Sequence, residues 1–148
     1  MQPLMEERRF TVLMVDDSEE DRLFLRRSIA KCPTLALIGE LRSGQELLAY
    51  LSGKAPYQDA SRHPSPDLLL LDAVMPLINV ADILLWLKDH PHPGLKIVVI
   101  TGAFVPHVRE QILQLGAHAC YEKPVDNLQL DGVIQEIELR LGKDDFSV

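Results

Sequence analysis

Four polar segments, each at the end of a short apolar run, hold the residues with the most chemistry in this sequence. Asp16-Asp17 follow Thr11–Val15, Asp72 follows Leu68–Leu71, Thr101 follows Ile97–Ile100, and Lys123-Pro124 follow Ala119–Glu122. Three carboxylates, a hydroxyl and an ammonium can together hold a divalent metal and a phosphoryl group. Mg²⁺ takes oxygen ligands and keeps several waters, so a few carboxylates suffice. The cation is also needed on electrostatic grounds, because two carboxylates ~4 Å apart repel by roughly 4 kcal/mol at an effective dielectric of 20. Without it the acids would titrate at higher pH, or the site would repel an anionic phosphoryl donor. The combination points to a phosphorylation switch, provided the four segments meet in space.

They meet if the apolar runs are parallel strands of an open α/β sheet, where ligands bind at the carboxyl ends of the strands. The runs alternate with helix-like segments, as βα units require. Phe10–Val15 is the first strand. Ser18 caps a helix whose first turn holds Glu19, Glu20 and Asp21, with Leu25 and Ile29 facing the core and Pro33 stopping it. Leu35–Gly39 is the second strand, and Ser43-Gly44-Gln45-Glu46 has capping-box spacing for a helix to about Leu51. Ser52–Pro66 is a loop, long for a compact domain. Asp67–Leu71 is apolar without alternation, so it is a central strand buried on both faces.

Val80–Asp89 is the third helix and Lys96–Ile100 the fourth strand, rich in β-branched residues. Pro106 opens the fourth helix, Val108, Ile112 and Leu115 give it an apolar stripe, and Gly116 ends it. Ala119–Glu122 is the fifth strand. Leu130, Ile134, Ile137 and Leu141 have helical spacing through the last helix. The expected fold is therefore a doubly wound α/β domain of five parallel strands and five helices. Residues 10–141 form the domain, 1–9 a leader and 142–148 a tail that frays from Lys143.

The chain's 148 residues fit one domain, and 47% hydrophobic residues can fill its core. A formal net charge of -7 argues against a bare nucleic-acid binder and against an anionic membrane surface as partner. No apolar run is long enough to cross a bilayer, and the charged segment Met1–Arg9 lacks a signal core, so a cytoplasmic location is expected. Cys32 and Cys120 have neither metal-type nor redox-type spacing and read as small buried residues. His90 and His92 flank Pro91 at the expected opposite end of the sheet from the acids and read as ordinary exposed histidines. Val80–Leu87 is apolar almost all round; its residues either all enter the core or leave Leu85 and Trp86 as a partner-binding patch.

The four segments in this order resemble the receiver domain of two-component response regulators. The resemblance spans Phe10 to Leu141. It is carried by Asp16-Asp17, by Leu-Leu-Leu-Leu-Asp-Ala-Val-Met-Pro ending at Pro76, by Thr101-Gly102, and by Tyr121-Glu122-Lys123-Pro124. It implies a sheet of order 2-1-3-4-5 and a phosphoacceptor at Asp72. It also implies Mg²⁺ held by Asp17 and Asp72, by Asp16 through water, and by the backbone carbonyl of Val74. Lys123 is then expected to pair with Asp72 before transfer and with a phosphoryl oxygen afterwards. Pro124 is expected to follow a cis bond. Thr101 is expected to hydrogen-bond the phosphoryl group, Gly102 to leave room for it, and Tyr121 to act as an aromatic switch. The implied partners are a histidine kinase or phosphotransfer protein, an unidentified protein target, and a second copy through the fourth helix, fifth strand and fifth helix.

The long insert, with Ala49-Tyr50-Leu51 before it and Pro66-Asp67 after it, resembles the small single-domain, chemotaxis-regulator-like members that partner phytochrome-type kinases. No output domain follows Leu141 in this sequence, so a stand-alone regulator that does no catalysis beyond its own phosphorylation and dephosphorylation is expected. Val80 stands where the family commonly has Gly, and valine disfavours the positive φ that glycine permits, so a reshaped loop is expected before the third helix. Apolar Val74 and Ala103 cannot position water, which implies slow loss of the phosphoryl group. Two alternatives stand beside this reading. A degenerate receiver would act without phosphorylation. A haloacid-dehalogenase-like phosphatase would also use a strand-end Asp, but it wants a second Asp two residues on, where this chain has Val74.

Overall fold

A computed structural model describes residues 9–72, 80–102 and 106–146. Its elements alternate strictly: β1 (Phe10–Val15), α1 (Glu19–Ala30), β2 (Leu35–Leu41), α2 (Gly44–Ser52), β3 (Leu68–Asp72), α3 (Val80–Asp89), β4 (Lys96–Thr101), α4 (Pro106–Gln114), β5 (Ala119–Glu122) and α5 (Asn127–Lys143). The five strands form one sheet of order β2-β1-β3-β4-β5, and every neighbouring pair is parallel. The order expected from the resemblance is thus the observed one. β2 runs two residues further than its apolar run, and β3 and β4 each end one residue later, on Asp72 and Thr101.

The sheet is buried on both faces, and strand alternation sorts its residues between two cores. Leu69 and Leu71 of β3 pack with Leu47, Ile83, Leu84 and Ile112 under α2, α3 and α4. Leu68 and Leu70 pack with Leu25, Ile29, Ile134 and Ile137 under α1 and α5. This explains the unbroken leucine run in β3, where a half-solvated strand would alternate. The β1–β2 register slips between Val12 and Leu13, which brings Gly39 opposite Leu13. A Cβ at Gly39 would lie 2.8 Å from the Leu13 Cδ1, so any other residue there would make the Leu13 side chain shift.

Local signals place the helix starts. Ser18 and Ser43 accept hydrogen bonds from the backbone N–H groups of Asp21 and Glu46. The Glu46 carboxylate reaches back to the N–H of Arg42 at 2.8 Å, one residue beyond the cap itself. Gly116, at φ +119°, follows α4 as expected. Val80 is the first residue of α3 and is buried beside Ile83 in the core. The expected reshaped loop falls on residues 73–79, outside the described residues, but Val80 itself carries no positive φ. The rest of α3 divides: Ile83, Leu84 and Leu87 are buried, Leu85 is 49% exposed, and half-buried Trp86 stacks on His90 at 4.1 Å.

Two sequence expectations are corrected. The tail does not fray from Lys143. α5 continues through that residue, Asp144 caps it in the left-handed region and pairs with Lys96 at 3.2 Å, and Phe146 packs against the core edge near His118. The Lys123–Pro124 bond is trans, the only cis bond among the described residues being Ala55–Pro56. Trans is the lower-energy isomer before proline unless the surroundings impose the other. The segment expected as a loop from Ser52 to Pro66 is one apart from Ser52, which ends α2. Tyr57 sits 5.1 Å from Tyr50, His63 packs edge-on to both rings, and the Tyr50 hydroxyl donates to the Pro64 carbonyl.

Candidate functional site

The carboxyl ends of β1, β3 and β4 lie side by side, because β1, β3 and β4 are consecutive neighbours in the sheet. Asp16, Asp17 and Asp72 therefore gather, with one carboxylate oxygen from each within 4.8 Å of the others. Asp16 is 1% exposed and Asp72 8%, whereas Asp17 faces solvent. Thr101 ends β4 at 3% exposure. Among the described residues, a Cβ at Gly102 would meet nothing within 4 Å.

Asp16 is held at both carboxylate oxygens and at its carbonyl. Its Oδ1 accepts from the Ser18 N–H at 2.9 Å, and its Oδ2 accepts from the Lys123 Nζ at 3.0 Å. Its backbone carbonyl accepts from the buried Arg22 guanidinium at 2.6 Å. Arg22 is in turn 3.7 Å from Glu40, which Arg26 grips with two hydrogen bonds. A cation on the buried side of α1 thus stiffens the β1 end from behind. The sequence reading gave Arg22 no role.

Lys123 enters from the end of β5, and its backbone N–H donates to the Thr101 carbonyl at 2.8 Å. Its Nζ lies 3.7 Å from Asp72, longer than its 3.0 Å contact with Asp16 and its 2.9 Å contact with Asp21. The expected Lys123–Asp72 pair is present, and two further carboxylates lie nearer the ammonium. The α1 helix brings a nearer carboxylate, one that read in sequence as a helix-start acid. Burial lowers the Lys123 pKa, but hydrogen bonds to Asp21 and Asp16 and the charge of Asp72 outweigh it, so the net shift is upward and the side chain stays a cation. Beside it a pocket of about 170 Å³ is lined by Phe24, Leu25, Ile100, Pro124 and Leu130.

Tyr121 is half-buried and donates to Glu136 of α5 at 2.6 Å, with the Arg140 guanidinium 5.9 Å from its ring centre. Burial first, and then the Glu136 carboxylate, push its phenol pKa upward, so it remains a neutral donor. Val74 and Ala103 lie outside the described residues. His90 and His92 bond locally, to the carbonyls of Trp86 and His90, and not to the acids. Cys32 and Cys120 are buried free thiols, and burial raises the Cys32 pKa to about 11.

The donor set fits a hard divalent cation. Mg²⁺ binds oxygens at about 2.0–2.1 Å, so two oxygens on one ion lie no more than ~4.2 Å apart, a spacing these carboxylates reach with small movements. The soft ligands Cys and His are absent from the cluster. The cation in contact with its carboxylate oxygens, Lys123, can neutralise anionic oxygens but cannot ligate while protonated.

Residues 12–135 match the family model for the response regulator receiver domain. The polar-differentiation response regulator DivK of Brucella abortus is 27% identical over 78% of this chain and 85% of its own length. A protein-glutamate methylesterase/protein-glutamine glutaminase of Geobacillus kaustophilus is 29% identical over 81% of this chain but only 32% of its own length. Response regulator GacA of Pseudomonas viridiflava is likewise matched over 44% of its length, so the chain spans less than half of these two relatives. Among solved structures, the phosphorylated cyanobacterial phytochrome response regulator RcpA superposes with a TM-score of 0.77 at 23% identity, covering 93% of this chain and 96% of that one. The Mn²⁺-bound form of response regulator Rcp1 superposes with a TM-score of 0.73 at 25% identity, covering 87% and 91%.

Proposed function

The chain belongs to the response regulator receiver domain family of two-component systems, and on that premise we propose that it accepts a phosphoryl group on Asp72 from a histidine kinase or phosphotransfer protein. The observation that carries this is the convergence of Asp16, Asp17 and Asp72 within 4.8 Å, with the Lys123 ammonium against two of them. A carboxylate oxygen of Asp72 attacks phosphorus, forming a P–O bond. The P–N bond of a phosphohistidine donor breaks, and its electron pair and a proton restore neutral imidazole. Asp72 ends as a mixed anhydride, the aspartyl-phosphate form of covalent intermediate.

Asp17 and Asp72 would hold Mg²⁺ directly, with the Val74 carbonyl, and Asp16 through water. The occupation of both Asp16 oxygens by Ser18 and Lys123 supports that division. When bound there, Mg²⁺ supplies positive charge to the oxygens of the transferring group. A neighbour solved with Mn²⁺ supports a divalent ion at such a site. Lys123 supplies the opposing charge, Thr101 donates to a phosphoryl oxygen, and Gly102 leaves that side open. Tyr121 reports the change, turning from Glu136 when Thr101 moves. Slow hydrolysis follows from apolar Val74 and Ala103.

Signalling then proceeds through altered protein contacts, with α4, β5 and α5 as the face for a second copy. No helix among the described residues is long and apolar enough to cross a membrane, which supports placing the protein in the cytoplasm with its kinase. The insert and its flanks make a phytochrome-type kinase the first donor to try. A degenerate receiver acting without phosphorylation is the alternative that the following experiment separates from this one.

Incubating the chain with Mg²⁺ and acetyl phosphate, and in parallel with a kinase donor, tests the reading by intact mass. The expected result is a gain of one phosphoryl group that is lost in Asp72→Asn. No gain from either donor overturns it.

A further inference from the structure

Lys123 is shared among three carboxylates, and the shortest contact is not with a strand-end acid. Its Nζ lies 2.9 Å from Asp21, 3.0 Å from Asp16 and 3.7 Å from Asp72. Asp21 stands in the first turn of α1, and its backbone N–H is held by the Ser18 hydroxyl. It takes no part in the group of three acids that could share an ion. Its carboxylate is 34% exposed and its lysine partner 20%, so water weakens the pair without dissolving it.

We propose that Asp21 is a positioning residue that tethers the Lys123 ammonium on the α1 side, so that a phosphoryl group on Asp72 must compete with Asp21 for it. This rests on the reading of Asp72 as phosphoacceptor. Lys123 has three N–H donors, and Asp21 and Asp16 occupy positions at full hydrogen-bond length while Asp72 does not. The third donor is left for an anionic group on Asp72, which must draw the ammonium in from 3.7 Å against its hold on Asp21. Asp21 therefore acts as a brake on the phosphorylated form. The cap holds the Asp21 backbone in place, so its carboxylate can follow the lysine only as far as its short side chain reaches. Removing its charge releases Lys123 toward the acceptor. For a partly exposed pair the effect is about threefold to fivefold in equilibrium.

Beryllofluoride, a phosphoryl mimic that forms on a carboxylate, reads this equilibrium without hydrolysis. Its affinity for the full chain in saturating Mg²⁺ is measured by NMR titration, together with the ¹⁵N shift of the Lys123 side chain. Asp21→Asn is expected to bind it about threefold to fivefold more tightly and to move the Lys123 signal. Asp21→Ala, which leaves no acceptor atom, is expected to do at least as much. Glu20→Gln removes a neighbouring exposed charge that does not touch Lys123 and is expected to change neither. Equal or weaker binding by both Asp21 variants overturns the tether. So does an equal gain in Glu20→Gln, which would mark a general field effect. If the unaltered chain binds no better than Asp72→Asn, the phosphoacceptor reading falls and the tether falls with it.

Discussion

Asp17→Asn should stabilise the metal-free protein while removing its response to Mg²⁺. Asp17 is exposed and caps nothing, since the cap of α1 is Ser18. It faces Asp16 and Asp72 with oxygens within 4.8 Å. Taking the dielectric of bulk water as the floor, each repulsion at that distance is about 0.9 kcal/mol, or about 1.7 kcal/mol for the two. Losing a negative charge at the start of α1 costs about 0.3–1 kcal/mol. The net gain is about 1 kcal/mol, which for a chain of this size raises Tm by about 2–4 °C. In Mg²⁺ the order reverses. The unaltered protein gains about 2.7 kcal/mol at a metal concentration of 100 Kd, while the variant, lacking a ligand, gains little. Thermal unfolding in chelator and across a Mg²⁺ series should therefore give curves that cross. A variant that melts below the parent in chelator, or that gains as much from Mg²⁺, would refute both the crowding of the acids and the place of Asp17 in the metal site.

Two further outcomes concern parts of the molecule away from the acids. Tyr50→Phe removes the hydroxyl that donates to Pro64 at 2.8 Å and should cost about 1 kcal/mol. Limited proteolysis within residues 52–66 should quicken, and unchanged cleavage would show that the loop is held by other contacts. His118 accepts the Ile97 N–H at 3.0 Å through Nδ1, and burial, followed by the charge of Lys96, lowers its pKa below 6.5. Because the folded value is the lower one, the unfolded chain binds the extra proton first as pH falls. The contribution of neutral His118 is complete above about pH 6.5 and is lost as pH drops through the folded pKa. Urea unfolding between pH 7.5 and 5 should show a steeper loss in the parent than in His118→Asn, and parallel slopes would contradict this assignment.

The strands and caps were legible because their signals are local. A run such as Leu68–Leu71 can be buried on both faces only in the middle of a sheet, and Ser18 and Ser43 announce helix starts by their hydroxyls alone. The strand-end acids were legible because a polar residue that stops an apolar run must leave the core at that point. Asp21 was read as a helix-start acid because nothing within α1 reveals that β5 delivers a lysine to it from 102 residues away. Arg22 was hidden for the same reason, since its partners are the Asp16 carbonyl and Glu40 on β2. The tail was expected to fray because Lys143–Val148 is a chain terminus, yet its anchors, Lys96 and His118, belong to distant parts of the chain.

The hydrogen bond from the Lys123 N–H to the Thr101 carbonyl is a single rung joining the ends of two strands. It couples the hydroxyl and the ammonium of the site through main chain, independently of either side chain. A displacement of the β4 end must either stretch that rung or carry the β5 end along with it. Because both of its atoms are main chain, the rung remains when either side chain is changed to another that keeps the backbone N–H.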